Sequence, residues 1–114
     1  MGLDMFLETA DGKETGYWRK ANAIHAWFVK NCGGGVDECQ RMEVTQTKLA
    51  NLRRTIKATL AHPDKASEFL PTQAGFFFGP TDYDDVYFED LEKTLDILTE
   101  AIDRGGIRFY RACW

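Results

Sequence analysis

The sequence predicts an α+β domain in which about four short strands form one small sheet with three helices packed on it. Leu3, Met5 and Leu7 recur at every second position, the period of a half-buried strand. Leu49, Leu52, Ile56 and Leu60 recur at steps of three and four, as do Phe88, Leu91, Leu95, Leu98 and Ile102, which is the period of an amphipathic helix. The two periods are mixed along the chain with no repeat and no linker, so residues 1–114 read as a single compact domain. The strands are too short and too unevenly apolar for a doubly wound parallel sheet.

Taken in order, Leu3 to Leu7 is the first strand and Ala10-Asp11-Gly12-Lys13 a turn. From Trp18 to about Cys32 the pattern reads as helical, with Tyr17, Ala21, Ile24 and Phe28 on one side. Gly33-Gly34-Gly35 ends it, because glycine accepts the left-handed cap conformation. Gln40 to Val44 fits a short strand. Thr45 or Thr47 can then cap a helix that Pro63 closes. His62 to Pro71 reads as a loop with room for one helical turn at Ala66 to Leu70. Phe76-Phe77-Phe78 reads as a short strand or a buried corner between glycines. Asp82, Asp84 or Asp85 caps the last helix, Gly105-Gly106 ends it, and Ile107 to Cys113 alternates as the final strand.

Composition narrows the function classes. The 114 residues are 44% hydrophobic and 13% aromatic, enough for a core without staples. A net charge of −4 argues against generic binding to nucleic acid or an anionic membrane. No run approaches the roughly 20 apolar residues of a membrane span. Cys32, Cys39 and Cys113 are odd in number, and Met1-Gly2-Leu3-Asp4 lacks the basic start of a secretory signal. The expectation is free thiols in a reducing cytoplasm.

The most informative feature is a row of carboxylates. Asp85, Glu89, Glu92, Asp96, Glu100 and Asp103 follow one another at steps of four, three, four, four and three, and so share one helix face. Like charges at this spacing each cost a helix roughly 0.2–0.5 kcal/mol per pair, which makes the face a poor choice for stability alone. By contrast, Lys48, Arg53, Arg54 and Lys57 make the earlier helix basic. With Tyr83 and Tyr87 as aromatic anchors, the row is the candidate partner-binding surface.

A second candidate is a ligand site formed by Trp18, Arg19, Asn22, His25 and Asp82, rich in hydrogen-bonding and stacking groups. Buried aromatics with solvated cations account for the same residues. Three further arrangements are weaker. His25, Cys32 and Cys39 lack the close cysteine pair of a zinc site. Asp82-Tyr83-Asp84-Asp85 lacks the glycine and spacing of a calcium loop, and helix capping explains its carboxylates. A thiol–imidazole pair from His25 with Cys32 or Cys39 has no orienting third residue. No catalytic residue, metal or cofactor is expected.

Several stretches together resemble a small protein family met in phage and prophage genomes. They are Met1-Gly2-Leu3-Asp4-Met5, Tyr17-Trp18-Arg19-Lys20-Ala21-Asn22, Ile24-His25 with Trp27-Phe28, Leu70-Pro71-Thr72-Gln73, Gly75-Phe76-Phe77-Phe78-Gly79, Thr81-Asp82-Tyr83-Asp84 and Trp114. The Gly33-Gly34-Gly35 stretch departs from it. The family has no established activity, so no site residue carries over. What the resemblance implies is context: small acidic phage accessory proteins often bind a host machine. The expected function is therefore a cytoplasmic, anti-CRISPR or other anti-defence type of protein. It would inhibit or modulate a host nucleic-acid-handling complex through the acidic face, touching neither nucleic acid nor membrane directly. The alternatives are a small-ligand or nucleotide-binding protein or small enzyme, and a phage structural or assembly component.

Overall fold

The computed structural model describes residues 2–75 and 78–114. Strands β1 (Asp4–Glu8) and β2 (Glu14–Arg19) form a hairpin, closed where the Thr9 N–H donates to the Lys13 carbonyl at 2.9 Å. Helix α1 (Asn22–Cys32), strand β3 (Met42–Val44) and helix α2 (Gln46–Ala61) follow. A 3-10 turn at Pro63–Lys65 leads into α3 (Ala66–Phe69), and α4 (Asp85–Arg104) precedes β4 (Arg108–Cys113). The strand order is β2-β1-β4-β3 with every neighbouring pair antiparallel.

The α+β class holds, with four α-helices among the described residues rather than three. The addition is the single turn α3, held on α2 by its one buried side chain, Ala66. A larger correction concerns residues 14–19. Read from Trp18 onward as helix, they form strand β2, and α1 begins only at Asn22. The strand escapes notice because its inward positions are Gly16 and Trp18, so one of two core-facing sites carries no side chain. An atom at the Gly16 Cβ position would stand 2.6 Å from Ile97 Cγ2 of α4. Lys20, at φ 57, turns the chain from strand to helix in the left-handed region.

Phe76 and Phe77 lie outside the described residues, and Phe78 is buried in a bend, the corner rather than the strand of the two readings. The cysteines also differ from expectation. Cys39 and Cys113 are joined by a disulfide with their Cα atoms 5.0 Å apart, and Cys32 alone is free. Seventy-four residues separate the pair; only the sheet, which ends β4 beside the loop after α1, brings them together.

Alternation divides the sheet into two faces. Met5, Leu7, Trp18, Met42, Val44, Tyr110 and Ala112 are buried under the helices. There Phe28 stacks on Tyr110 with ring centroids 4.0 Å apart, and Trp18 meets both rings edge-on. Leu49, Leu52 and Ile56 of α2 and Leu91 and Leu98 of α4 complete the core. Helix α2 starts at Thr45, whose hydroxyl accepts the Lys48 N–H.

The other face carries Phe6, Tyr17, Phe109 and Arg111, and none of the described helices covers it. Instead, the Arg41 guanidinium lies 3.9 Å over the Phe109 ring and that of Arg111 4.4 Å over Phe6. Glu8 accepts from both arginines, at 3.1 and 3.3 Å, and is itself buried. Charge-assisted bonds thereby hold two cations over two rings.

The packing at Gly16 makes a specific expectation. Gly16→Ala overpacks the junction of β2 and α4 and lowers unfolding free energy by about 1–3 kcal/mol, measured by urea denaturation. Ile97→Ala in the same chain recovers part of that loss, because it removes the methyls the new Cβ meets.

Candidate functional site

Helix α4 decides what the acidic row can do. It begins where the Asp84 carboxylate accepts the Tyr87 N–H at 3.2 Å and ends at Gly105, whose φ of 74 suits glycine. Tyr87, Leu91, Thr94, Leu98 and Ala101 are its buried line. Trp18 donates its indole N–H to Thr94 Oγ1 at 2.8 Å, and Thr94 Oγ1 donates to the Asp90 carbonyl at 2.6 Å. These contacts fix the helix about its own axis.

With that rotation Asp85, Glu89, Glu92, Asp96, Glu100 and Asp103 are all exposed. Twenty residues make the helix about 30 Å long, with its turns 5.4 Å apart. Among the described residues, Glu100 is the one member of the row in an ion pair, with Arg104 at 3.2 Å. The basic side chains of α2 make no ion pair with the row among those residues, although α2 and α4 pack together.

The two tyrosines part company. Tyr83 is 39% exposed, with its hydroxyl accepting the Thr72 N–H at 3.1 Å. Tyr87, expected beside it as a contact residue, is buried and donates its hydroxyl to the Leu70 carbonyl at 2.7 Å. It stands four residues before Leu91, on the core side, so it anchors the helix to the chain around Leu70 and offers a partner nothing.

The five residues of the second candidate do not converge. Trp18 faces the core, and Arg19 pairs with Asp4 at 3.0 Å on the outer face of the sheet. Asn22 is buried, donating to the carbonyls of Phe78 (3.1 Å) and Pro80 (2.9 Å) and accepting the Gln73 N–H (3.0 Å). It is the peg for the segment before α4. His25 is also buried. With its proton on Nε2 it donates to the Asp37 carboxylate at 3.0 Å, while Nδ1 accepts the Tyr110 hydroxyl at 2.6 Å. Burial outweighs Asp37 and holds the imidazole below its ordinary pKa, which favours the neutral form; burial also pushes the Tyr110 hydroxyl well up.

Nor does a thiol–imidazole pair form. Both ring nitrogens of His25 are engaged, Cys39 is in the disulfide, and burial pushes the Cys32 thiol up to about 11. Among the described residues, no three His, Cys, Asp or Glu side chains are grouped to hold a metal.

A cleft does join two of the five. Asn22 and Asp82 line a space of about 80 Å³ together with Lys20, Thr72, Asp84 and Asp90. Room for a few waters or a small polar group is all it provides. Asp90 was not visible as a site residue in the sequence, because its position on α4 lies between the acidic row and the core. Half-burial raises its carboxyl to about 6, with Lys93 opposing and Glu89 and Asp84 adding to the rise.

A carboxyl raised in the folded state stabilises the fold fully below its unfolded value of 3.8, and that stability is lost as pH rises through about 6. Asp90→Asn is therefore expected to leave the melting temperature near that of the parent at pH 4 and above it at pH 7. Thermal denaturation of both proteins across this range checks it, the difference between them cancelling other titrating groups.

Compared with protein-family models, curated proteins and solved structures, the chain has no match in any of the three.

Proposed function

We propose that this chain is a phage-type accessory protein that binds a host nucleic-acid-handling complex, of the anti-CRISPR or other anti-defence kind, and inhibits or modulates it. The observation that carries the reading is the exposed row of six carboxylates on α4, one of them paired within the chain among the described residues. The phage context rests on the sequence resemblance. Carboxylates one turn apart repeat at about 5–6 Å, comparable to successive phosphates along a strand, so the helix fits a basic groove that normally holds nucleic acid. Tyr83 sits at the helix start as the aromatic contact. The protein acts in the host-cell cytoplasm and touches neither nucleic acid nor membrane directly. No helix among the described residues is long and apolar enough to cross a membrane.

The cleft beside Asp82 and Asp90 supports a second reading, a small-ligand or nucleotide-binding protein, only in its small-ligand form, since about 80 Å³ is too little to enclose a nucleotide. A thermal-shift screen with nucleotides and divalent cations separates the two, since ligand binding to the folded state raises the melting temperature. An assembly component, the third reading, would form stable oligomers by light scattering.

Charge reversal tests the leading proposal. Glu92→Lys, Asp96→Lys and Glu100→Lys together are expected to weaken capture of the host complex at least 100-fold while circular dichroism stays unchanged. Capture by the parent protein should fall steeply with salt. Undiminished capture by the triple variant removes the acidic face from the interaction.

A further inference from the structure

We propose that the Cys39–Cys113 disulfide is a redox-cleavable latch that holds the loop after α1 and the end of β4 closed over the buried His25. The inference is independent of the partner proposed above. Both cysteines are exposed, and each neighbours a residue that touches His25. Two residues before Cys39, Asp37 accepts a hydrogen bond from His25 Nε2. Next to Cys113, Trp114 meets the His25 ring with centroids 6.0 Å apart and the Phe78 ring at 5.6 Å. Phe78 itself meets His25 edge-on at 5.2 Å. The bond thus fastens the loop to the end of β4, which β1 already holds through the Asp4–Cys113 pair, and the two segments together shut a side chain only 1% exposed.

The loop is built to move once released. Most of its hydrogen bonds are local: Gly35 N–H to Val29, Val36 N–H to Gly33, Glu38 N–H to Gln40 and the Gln40 amide to Val36. Among the described residues, its ties to the rest of the fold before Arg41 are the Asp37–His25 contact and the disulfide. Gly34 and Gly35, at φ 63 and 81, give a hinge at one end. Cys39 sits at φ 59, a left-handed conformation that costs an L residue free energy and that the bond to Cys113 helps to hold. Cleavage lets Cys39 relax and takes the loop away from β4.

The reductant is a dithiol. One of its thiolates attacks one sulfur of the Cys39–Cys113 bond, giving a mixed disulfide and a cysteine thiolate that takes up a proton. The second thiol displaces the other cysteine and leaves as a cyclic disulfide. Two electrons and two protons pass to Cys39 and Cys113. Cys32, protonated and part-buried, stays out of the exchange. The reducing compartment comes from the proposed function; in one, disulfides are usually transient and catalytic or redox-sensing, which suits an exposed bond of this kind.

Hydrogen exchange on the intact protein, before and after dithiothreitol, is the test. Without reductant, iodoacetamide should leave Cys39 and Cys113 unlabelled; after reduction it should label both. Exchange across residues 34–40 should rise at least tenfold while β4, α2 and α4 keep their protection, and the His25 ring resonances should become sensitive to solvent pH. Cys39→Ser and Cys113→Ser should each show the open pattern without reductant, and Cys32→Ser should keep the parental response. Equal labelling without reductant, or exchange unchanged by reduction, overturns the latch. Collapse of protection throughout the fold overturns it too, making the bond a structural staple.

Discussion

The hydrogen bond from the Trp18 indole to Thr94 sets the orientation on which much of this molecule depends. It joins the edge strand β2 to α4 across 76 residues of sequence, inside the core. A buried indole N–H without a partner costs about 1–3 kcal/mol, so the helix is strongly held at the rotation that supplies one. Turning α4 by one residue, about 100°, would move Thr94 away from Trp18 and take the line of Leu91 and Leu98 out of the core. The same bond that completes the core thereby turns the acidic row outward and sets Asp90 beside the cleft.

Helix α1 organises the remainder through polar groups on its buried side. Asn22 fastens the segment leading to α4, and His25 fastens both the loop that carries Asp37 and strand β4 through Tyr110. Each polar atom is satisfied, which is the condition for tolerating such groups in a core. An all-apolar helix surface would bury as well but would not say which loop belongs where. Of the residues that resemble a ligand-binding cluster in the sequence, Trp18, Asn22 and His25 are thus spent inside the protein, while Arg19 and Asp82 stay at the surface.

How much of this was legible in the sequence follows from how local each signal is. The period-two pattern of Leu3, Met5 and Leu7 and the helical pattern around Leu52 and Leu91 survive folding because each element buries one face. The exposure of the acidic row follows from the same periodicity. Strand β2 was hidden by Gly16, an inward position emptied to admit Ile97. Tyr87 continues the Leu91–Leu98 line by one turn, so its burial follows from the same periodicity. Asp37 opposite His25, Cys39 against Cys113 and the raised carboxyl of Asp90 had no signal of their own. They depend on contacts that loops and sheet create only after folding.

The outer face of the sheet has a consequence of its own. A two-layer α+β domain leaves one side of its sheet bare, and Phe6, Tyr17 and Phe109 would there make an adhesive apolar patch. Arg41 and Arg111, tethered by the buried carboxylate of Glu8, spread over two of those rings. Their exposed parts meet the solvent while each guanidinium covers a ring. A third layer of protein becomes unnecessary: a short chain keeps the packing value of large rings on both sides of its sheet, yet shows water a polar, wettable exterior.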